Sequence, residues 1–207
     1  MKHVIFDFDG TLVDSLPVVV RIANAVVPGL DLSEGELAKL REMPAREIIK
    51  YSGIPYWKFP RLMIKGKRLM GAHLGELKVF PGMAEAVKVL HDSGYQISVV
   101  SSNSEENIRS VLKREGIENY FDGVYGNVGL FNKTRAFKVV LRDQQATADQ
   151  AIYIGDEVRD IEAARKGGIP IVSVTWGYNG EQILKKYKPT YLAQTPQEML
   201  NFITQAK

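Results

Sequence analysis

Asp7 and Asp9 interrupt an apolar N-terminal run, Val4-Ile5-Phe6-Asp7-Phe8-Asp9, and Gly10-Thr11 follow at once. Two carboxylates two residues apart on an extended backbone project to the same side. Held together among apolar neighbours, they are costly unless a cation neutralises them or one stays protonated. A hard divalent ion with oxygen ligands meets that need. Asp156 offers a further carboxylate at the end of a second apolar run, Ala151 to Gly155. Gly10 lets a ligand approach the backbone without a Cβ in the way. Ser101-Ser102-Asn103 brings hydroxyl and amide donors, and Lys133 brings a positive charge. Acids, a cation such as Mg²⁺, one Lys and one Ser point to a phosphate site rather than an acyl-transfer site. His3, His73 and His91 form no visible Ser-His-Asp arrangement, and the chain has no cysteine to act as nucleophile or metal ligand.

These residues meet only if the chain brings them to one end of one sheet. Val4 to Phe8 reads as a buried strand from its β-branched and aromatic content. After Gly82, helix-like and strand-like segments alternate: Met83 to His91 helical, Tyr95 to Val100 extended, and Ser104 to Arg114 helical. Ser104 is placed to cap that last helix, with Glu105 and Glu106 in its first turn. Gly123 to Tyr125 follows as a short strand, Lys133 to Arg142 as a helix and Ala151 to Gly155 as a strand. Val158 to Lys166 is a helix stopped by Gly167-Gly168, and Ile171 to Trp176 is a strand. Strands separated by helices imply right-handed crossovers and a doubly wound, three-layer α/β fold with a parallel sheet. Ligands in such folds bind beyond the carboxyl ends of the strands, where Asp7, Ser101 and Asp156 all fall.

Residues 15–80 break this rhythm. Ser15-Leu16-Pro17 looks like a helix start, and apolar residues continue at helical spacing through Val20, Ile22, Val26, Leu37, Leu40, Ile48 and Ile49, with breaks at Pro28-Gly29 and Gly53-Ile54-Pro55. The segment reads as a small helical insertion, with Tyr56, Trp57 and Phe59 expected in its core. It holds 11 Lys or Arg against 6 Asp or Glu, whereas the remainder holds 16 against 18. Most of those bases are expected on solvated helix faces. A net positive insertion over a phosphate site would nevertheless suit a substrate with a second anionic group. Arg46, near the turn after Leu40, is the expected contact.

Asp7-Phe8-Asp9-Gly10-Thr11, Ser101, Lys133 and Gly155-Asp156 with Asp160 resemble, in this order, the four motifs of the haloacid dehalogenase superfamily of phosphatases. The insertion resembles that superfamily's helical cap, with Thr11 to Ser15 as the hinge into it and Phe80-Pro81-Gly82 as the return. The likeness covers nearly the whole chain and is nearest to phosphoglycolate-phosphatase-like proteins. It implies a catalytic core of residues 1–14 and 81–207 and a cap of residues 15–80. It also implies an Mg²⁺-dependent phosphatase acting on a small phosphorylated metabolite. Asp7 would be the nucleophile and Asp9 the proton donor. Mg²⁺ would be held by Asp7, Asp9 (through its carbonyl) and Asp156, with Asp160 orienting a metal-bound water. Ser101 and Lys133 would stabilise the phosphoryl group, with Gly10, Thr11, Ser102 and Asn103 beside it.

Several alternatives stay open at this stage. Ser102 or Asn103 rivals Ser101 as the direct donor. Arg135 and Lys138 rival Lys133, which is favoured by its place at a loop-to-helix boundary, although the proline common soon after this lysine in the family is missing. Glu157 stands where a small hydroxyl residue is often found, and its role is open. A sugar-phosphate mutase of the same superfamily would resemble the chain in all four motifs. Such enzymes usually carry a histidine early in the cap, where this chain reads Pro17-Val18-Val19-Val20. A binding module that kept the fold without activity is the other alternative, and the intact acids speak against it. No motif points to nucleic acid or membrane, and oligomeric state is not readable. Zero cysteines and an N-terminus that meets an acid after three apolar residues make a reducing cytoplasm the natural expectation.

Overall fold

The computed structural model describes residues 2–27, 29–55, 57–129 and 132–205. The break expected at Pro28, the core position expected of Tyr56 and the side chain of Phe59 lie outside what it describes. Six parallel strands form one sheet. In chain order they are β1 (His3–Phe6), β4 (Gln96–Val100), β5 (Gly123–Tyr125), β6 (Ala151–Gly155), β7 (Ile171–Val174) and β8 (Tyr191–Ala193). Their spatial order is β5-β4-β1-β6-β7-β8. The first strand is therefore central, with His3 in register with Gln96 on one side and Ala151 on the other. Successive residues of β1 feed opposite faces, as a pleated strand requires. Val4 and Phe6 join one apolar cluster, while Ile5 joins a second with Tyr153, Phe137 and Ile161.

The covering helices are α5 (Met83–Asp92), α6 (Glu105–Arg114) and α10 (Pro196–Gln205) on the first face. On the second lie α7 (Lys133–Asp143), α8 (Val158–Gly167) and α9 (Glu181–Lys186). This is the three-layer arrangement expected from the alternation. The sixth strand and the last two helices were not part of that expectation. Helix starts follow local chemistry where it is present: the Ser104 hydroxyl accepts from the Asn107 N–H at 3.2 Å. Ser15 behaves otherwise. It precedes α1 (Leu16–Val26) without capping it, and its hydroxyl is 2.7 Å from the Tyr178 hydroxyl instead.

Among the described residues the insertion holds four α-helices, α1, α2 (Glu34–Arg41), α3 (Ala45–Tyr51) and α4 (Phe59–Ala72), and a 3-10 turn at Leu74–Glu76. It is rooted in an antiparallel pair the sequence did not suggest, β2 (Val13–Asp14) with β3 (Lys78–Val79). Val18, Ile22, Val26 and Met70 are buried and continuous with the sheet's apolar cluster. Trp57 is corrected from core to surface at 70% exposed, since it sits in the turn before α4 rather than on a helix's inner face. No described helix is long and apolar enough to cross a membrane.

Candidate active site

The chain leaves β1 at Phe6, two residues before the Phe8 expected from the apolar run, so Asp7 and Asp9 lie in the loop beyond the ladder. The Asp7 N–H still donates to the Ile154 carbonyl at 2.8 Å, which ties the loop to β6. Phe8 and Val13 then close a tight turn in which Gly10 has φ 79°, in the left-handed region that favours glycine. A Cβ at Gly10 would stand 2.3 Å from Asp156 Oδ2, so the glycine lets the two strand ends meet.

Lys133 is the first residue of α7, and its buried ammonium uses all three donors on the protein. It reaches Asp7 Oδ2 at 2.5 Å, Asp160 Oδ1 at 2.6 Å and the Tyr153 hydroxyl at 2.8 Å. Arg135 and Lys138 are exposed on the same helix. Burial works against the Lys133 charge, but Asp160 and Asp7 together outweigh it and raise its pKa. Asp160 accepts from Lys133 through one oxygen and from the Glu157 N–H at 3.0 Å through the other. Asp156 is fully buried. Its oxygens accept from the Thr11 hydroxyl at 2.7 Å and from the Tyr178 N–H at 2.7 Å.

Burial raises the pKa of Asp7 to about 7 against the opposing pull of Lys133. Asp9 is also raised by burial, with hydrogen bonds from Ser15 and Asn103 opposing. Burial and the nearby acids Glu157, Asp7 and Asp160 push Asp156 well above the carboxylate range. Acids outnumber bases here: among the described residues, Asp7, Asp9, Asp156, Glu157 and Asp160 stand against Lys133 and Arg159. Oxygens of Asp7, Asp156 and Asp160 lie within 4.8 Å of one another, and Asp9 Oδ1 is buried with no partner among the described residues. An all-oxygen donor set with excess negative charge fits a hard divalent cation.

Asp9, Ser102, Asn103, Arg159 and Tyr178 line one end of a cavity of about 640 Å³ whose remaining walls come from α1 to α4 and their loops. Asn103 Nδ2 donates to Asp9 Oδ2 at 3.4 Å, and Ser101 Oγ accepts from the Asn103 N–H at 3.0 Å. Of the serine-asparagine trio, Ser102 and Asn103 face the cavity while Ser101 is buried behind them. Gly10 and Thr11, expected against the substrate, are turned toward Asp156 instead. Arg46 is exposed on α3 and is not among the cavity's lining residues. Glu157 acquires a partner in Arg159, whose Nε and Nη2 both donate to Glu157 Oε1, the former at 2.9 Å.

The segment after β7, Trp176-Gly177-Tyr178-Asn179-Gly180, belongs to the site and was missed. Its signal in the sequence is a Trp-Gly-Tyr-Asn-Gly turn at the carboxyl end of a fifth strand. A Cβ at Gly177 would come within 2.3 Å of both Asp156 and the Gly10 carbonyl. Buried Asn179 accepts from the Val158 N–H at 2.9 Å and donates to the carbonyls of Arg41 and Met43 at 3.1 and 3.0 Å. One side chain thus joins the start of α8 to the end of α2.

Comparison with known proteins agrees with this geometry. The chain is 39% identical over 208 residues to a phosphoglycolate phosphatase of Synechococcus elongatus, covering 99% of this chain and 98% of that one. It is 24% identical to the pyrophosphatase PpaX of Listeria welshimeri, covering 96% and 94%. A haloacid dehalogenase-like family hydrolase from Streptococcus pneumoniae superposes with a TM-score of 0.81 at 25% identity, covering 98% of each chain. Residues 4–174 match the model of the haloacid dehalogenase-like hydrolases. On sequence, fold and site together, the chain belongs to the haloacid dehalogenase-like hydrolase family.

Proposed function

We propose that the protein is a phosphatase that hydrolyses a small phosphorylated metabolite through Asp7, with Mg²⁺ as its cofactor. The observation that carries this reading is the junction of Lys133 with Asp7 and Asp160, set beside buried Asp156 and cavity-lining Asp9. Lys133 and the Phe8 N–H, which donates to Asp7 Oδ1 at 2.8 Å, hold the Asp7 carboxylate in one orientation. A fixed carboxylate can attack phosphorus in line, and an aspartyl-phosphate splits one difficult displacement into two.

Asp9 is suited to the proton. Burial holds its acid form to higher pH than a free aspartate, so it can protonate the leaving oxygen. Once ionised, it can take a proton from the water that attacks phosphorus and frees Asp7. Ser102 and Asn103 offer donors to the phosphoryl oxygens, with Ser101 holding the Asn103 backbone in place. Asp7, the Asp9 carbonyl and Asp156 would hold Mg²⁺, with Asp160 behind them. When bound, the ion supplies positive charge to the phosphoryl group. Residues 15–80 act as the cap that closes over the reaction.

The test is phosphate release by the purified protein with Mg²⁺ from an aryl phosphate, phosphoglycolate, pyrophosphate and a panel of sugar phosphates. The last three probes follow from the names of the relatives and from the family resemblance. Activity should disappear with chelator and in Asp7→Asn. No turnover of any of these substrates would refute the reading.

A further inference from the structure

The cavity above Asp9 differs from what the basic composition of residues 15–80 suggested. Arg46, Lys50, Lys58, Arg61, Lys65 and Arg68 are all exposed, Lys58 in the turn before α4 and the others where helical periodicity turns them away from the apolar faces. None of these six lines the cavity, whereas Lys67 does. On the same walls Lys67 is outnumbered by Asp31 and Glu36. The other lining residues are mostly apolar, Ile22, Val26, Leu40, Ile49, Leu62 and Met70 among them.

Beyond Arg159, a second carboxylate or phosphate reaching the walls built by residues 15–80 would therefore meet two acids and one base among apolar side chains. A ligand as small as phosphoglycolate would also leave most of 640 Å³ unfilled against those walls. The sheet side supplies Asp9, Ser102, Asn103 and Arg159, while most of the side chains beyond them are apolar. This is the layout of a site that fixes one polar group and encloses an apolar body.

We propose that the substrate's leaving group is apolar, an alkyl or aryl alcohol whose chain fills the space between α1, α3 and α4 while its phosphate sits at Asp9 and Asp7. This rests on the phosphatase reading above and names its substrate class. The reaction balances as ester hydrolysis. The bond from phosphorus to the alcohol oxygen breaks, and the alcohol leaves with the Asp9 proton. Water then supplies the oxygen that completes inorganic phosphate.

The direct test is calorimetric binding of a series from methyl- to octylphosphonate to the full chain with Mg²⁺, alongside phosphonoacetate as the doubly anionic probe. Each methylene taken into an apolar site should tighten Kd by about fourfold, with a negative heat-capacity change. Hydrolysis of the matching alkyl phosphates should show kcat/KM rising in parallel. Gly66→Leu is a suitable filling variant, since a Cβ there meets only Ile22 Cγ2 at 3.9 Å and leucine favours the helix. It should end the gain at a shorter chain. A Kd that does not change along the series, or tighter binding of phosphonoacetate than of hexylphosphonate, overturns the inference. Absence of turnover on all monoesters would instead overturn the phosphatase reading, while the binding series still decides what the cavity accepts.

Discussion

Replacing Asn179 by alanine removes three hydrogen bonds at one point. The Arg41 carbonyl keeps a partner in the Gly180 N–H at 2.8 Å. The Val158 N–H does not, because it opens α8 and has no carbonyl of its own helix to reach. The Met43 carbonyl likewise loses the amide that faces it. Two buried groups left unpaired at about 1 to 3 kcal/mol each give an expected loss of about 3 kcal/mol. Urea unfolding followed by circular dichroism should show that loss as a lower midpoint at unchanged slope. Asn179→Asp restores an acceptor for Val158 at a helix N-terminus, where negative charge is favourable, but cannot donate to either carbonyl. It should recover less than half of the loss. If Asn179→Ala costs under about 0.5 kcal/mol, the junction it makes between α2 and α8 contributes nothing and the reasoning fails.

Other consequences follow from the same geometry. Lys133→Met leaves Asp7 and Asp160 without their shared cation, and breaking such a buried pair costs about 3 to 5 kcal/mol. Adding Asp160→Asn should return part of the stability but none of the activity, as read by urea unfolding and phosphate release. Gly177→Ala places a methyl within 2.3 Å of Asp156. It should weaken Mg²⁺ binding by calorimetry and destabilise by about 1 to 3 kcal/mol, the usual cost of overpacking. His3 is buried in β1, and its pKa is lowered from 6.5, chiefly by burial and against the opposing pull of Asp122. Below that value the unfolded chain takes up a proton the folded chain resists. Stability should therefore fall as pH drops through 6.5 and level off once pH passes the lowered folded value. The urea midpoint measured from about pH 7.5 to 5 should flatten in His3→Leu, and an unchanged slope would count against this account.

The parts of the fold that read well from sequence are those set by local chemistry. Val4-Ile5-Phe6 is apolar on successive residues because both faces of a central parallel strand are covered, and its acids stand out for the same reason. Ser104 with Glu105 and Glu106 marks the start of α6 through contacts within one turn. What was missed depends on partners far along the chain. Ser15 looks like a cap until Tyr178, 163 residues away, takes its hydroxyl. Lys133 reads as one base at a helix start until Asp7 and Asp160, 126 and 27 residues away, are seen to share its ammonium. The charge of residues 15–80 was legible, and so was the solvated position of most of its bases, but which side chains line the cavity depends on how the helices pack together, which no local pattern records. Arg46 and Trp57 fell on the outer side.

The two-residue ribbon of β2 and β3 carries an architectural consequence. Asp14 and Lys78 are antiparallel partners, so the backbone departs on its helical excursion and comes back within one strand spacing of its starting point. Sixty-odd residues of chain are thus spliced into the sheet at what amounts to a single seam. Nothing in the order β5-β4-β1-β6-β7-β8 has to be rethreaded if the material between the seam's two sides is lengthened, shortened or traded for another. Asp7, Lys133 and Asp156 sit on the sheet side of the join. The sheet and the helical excursion are consequently modular, able to change at different rates within one continuous polypeptide.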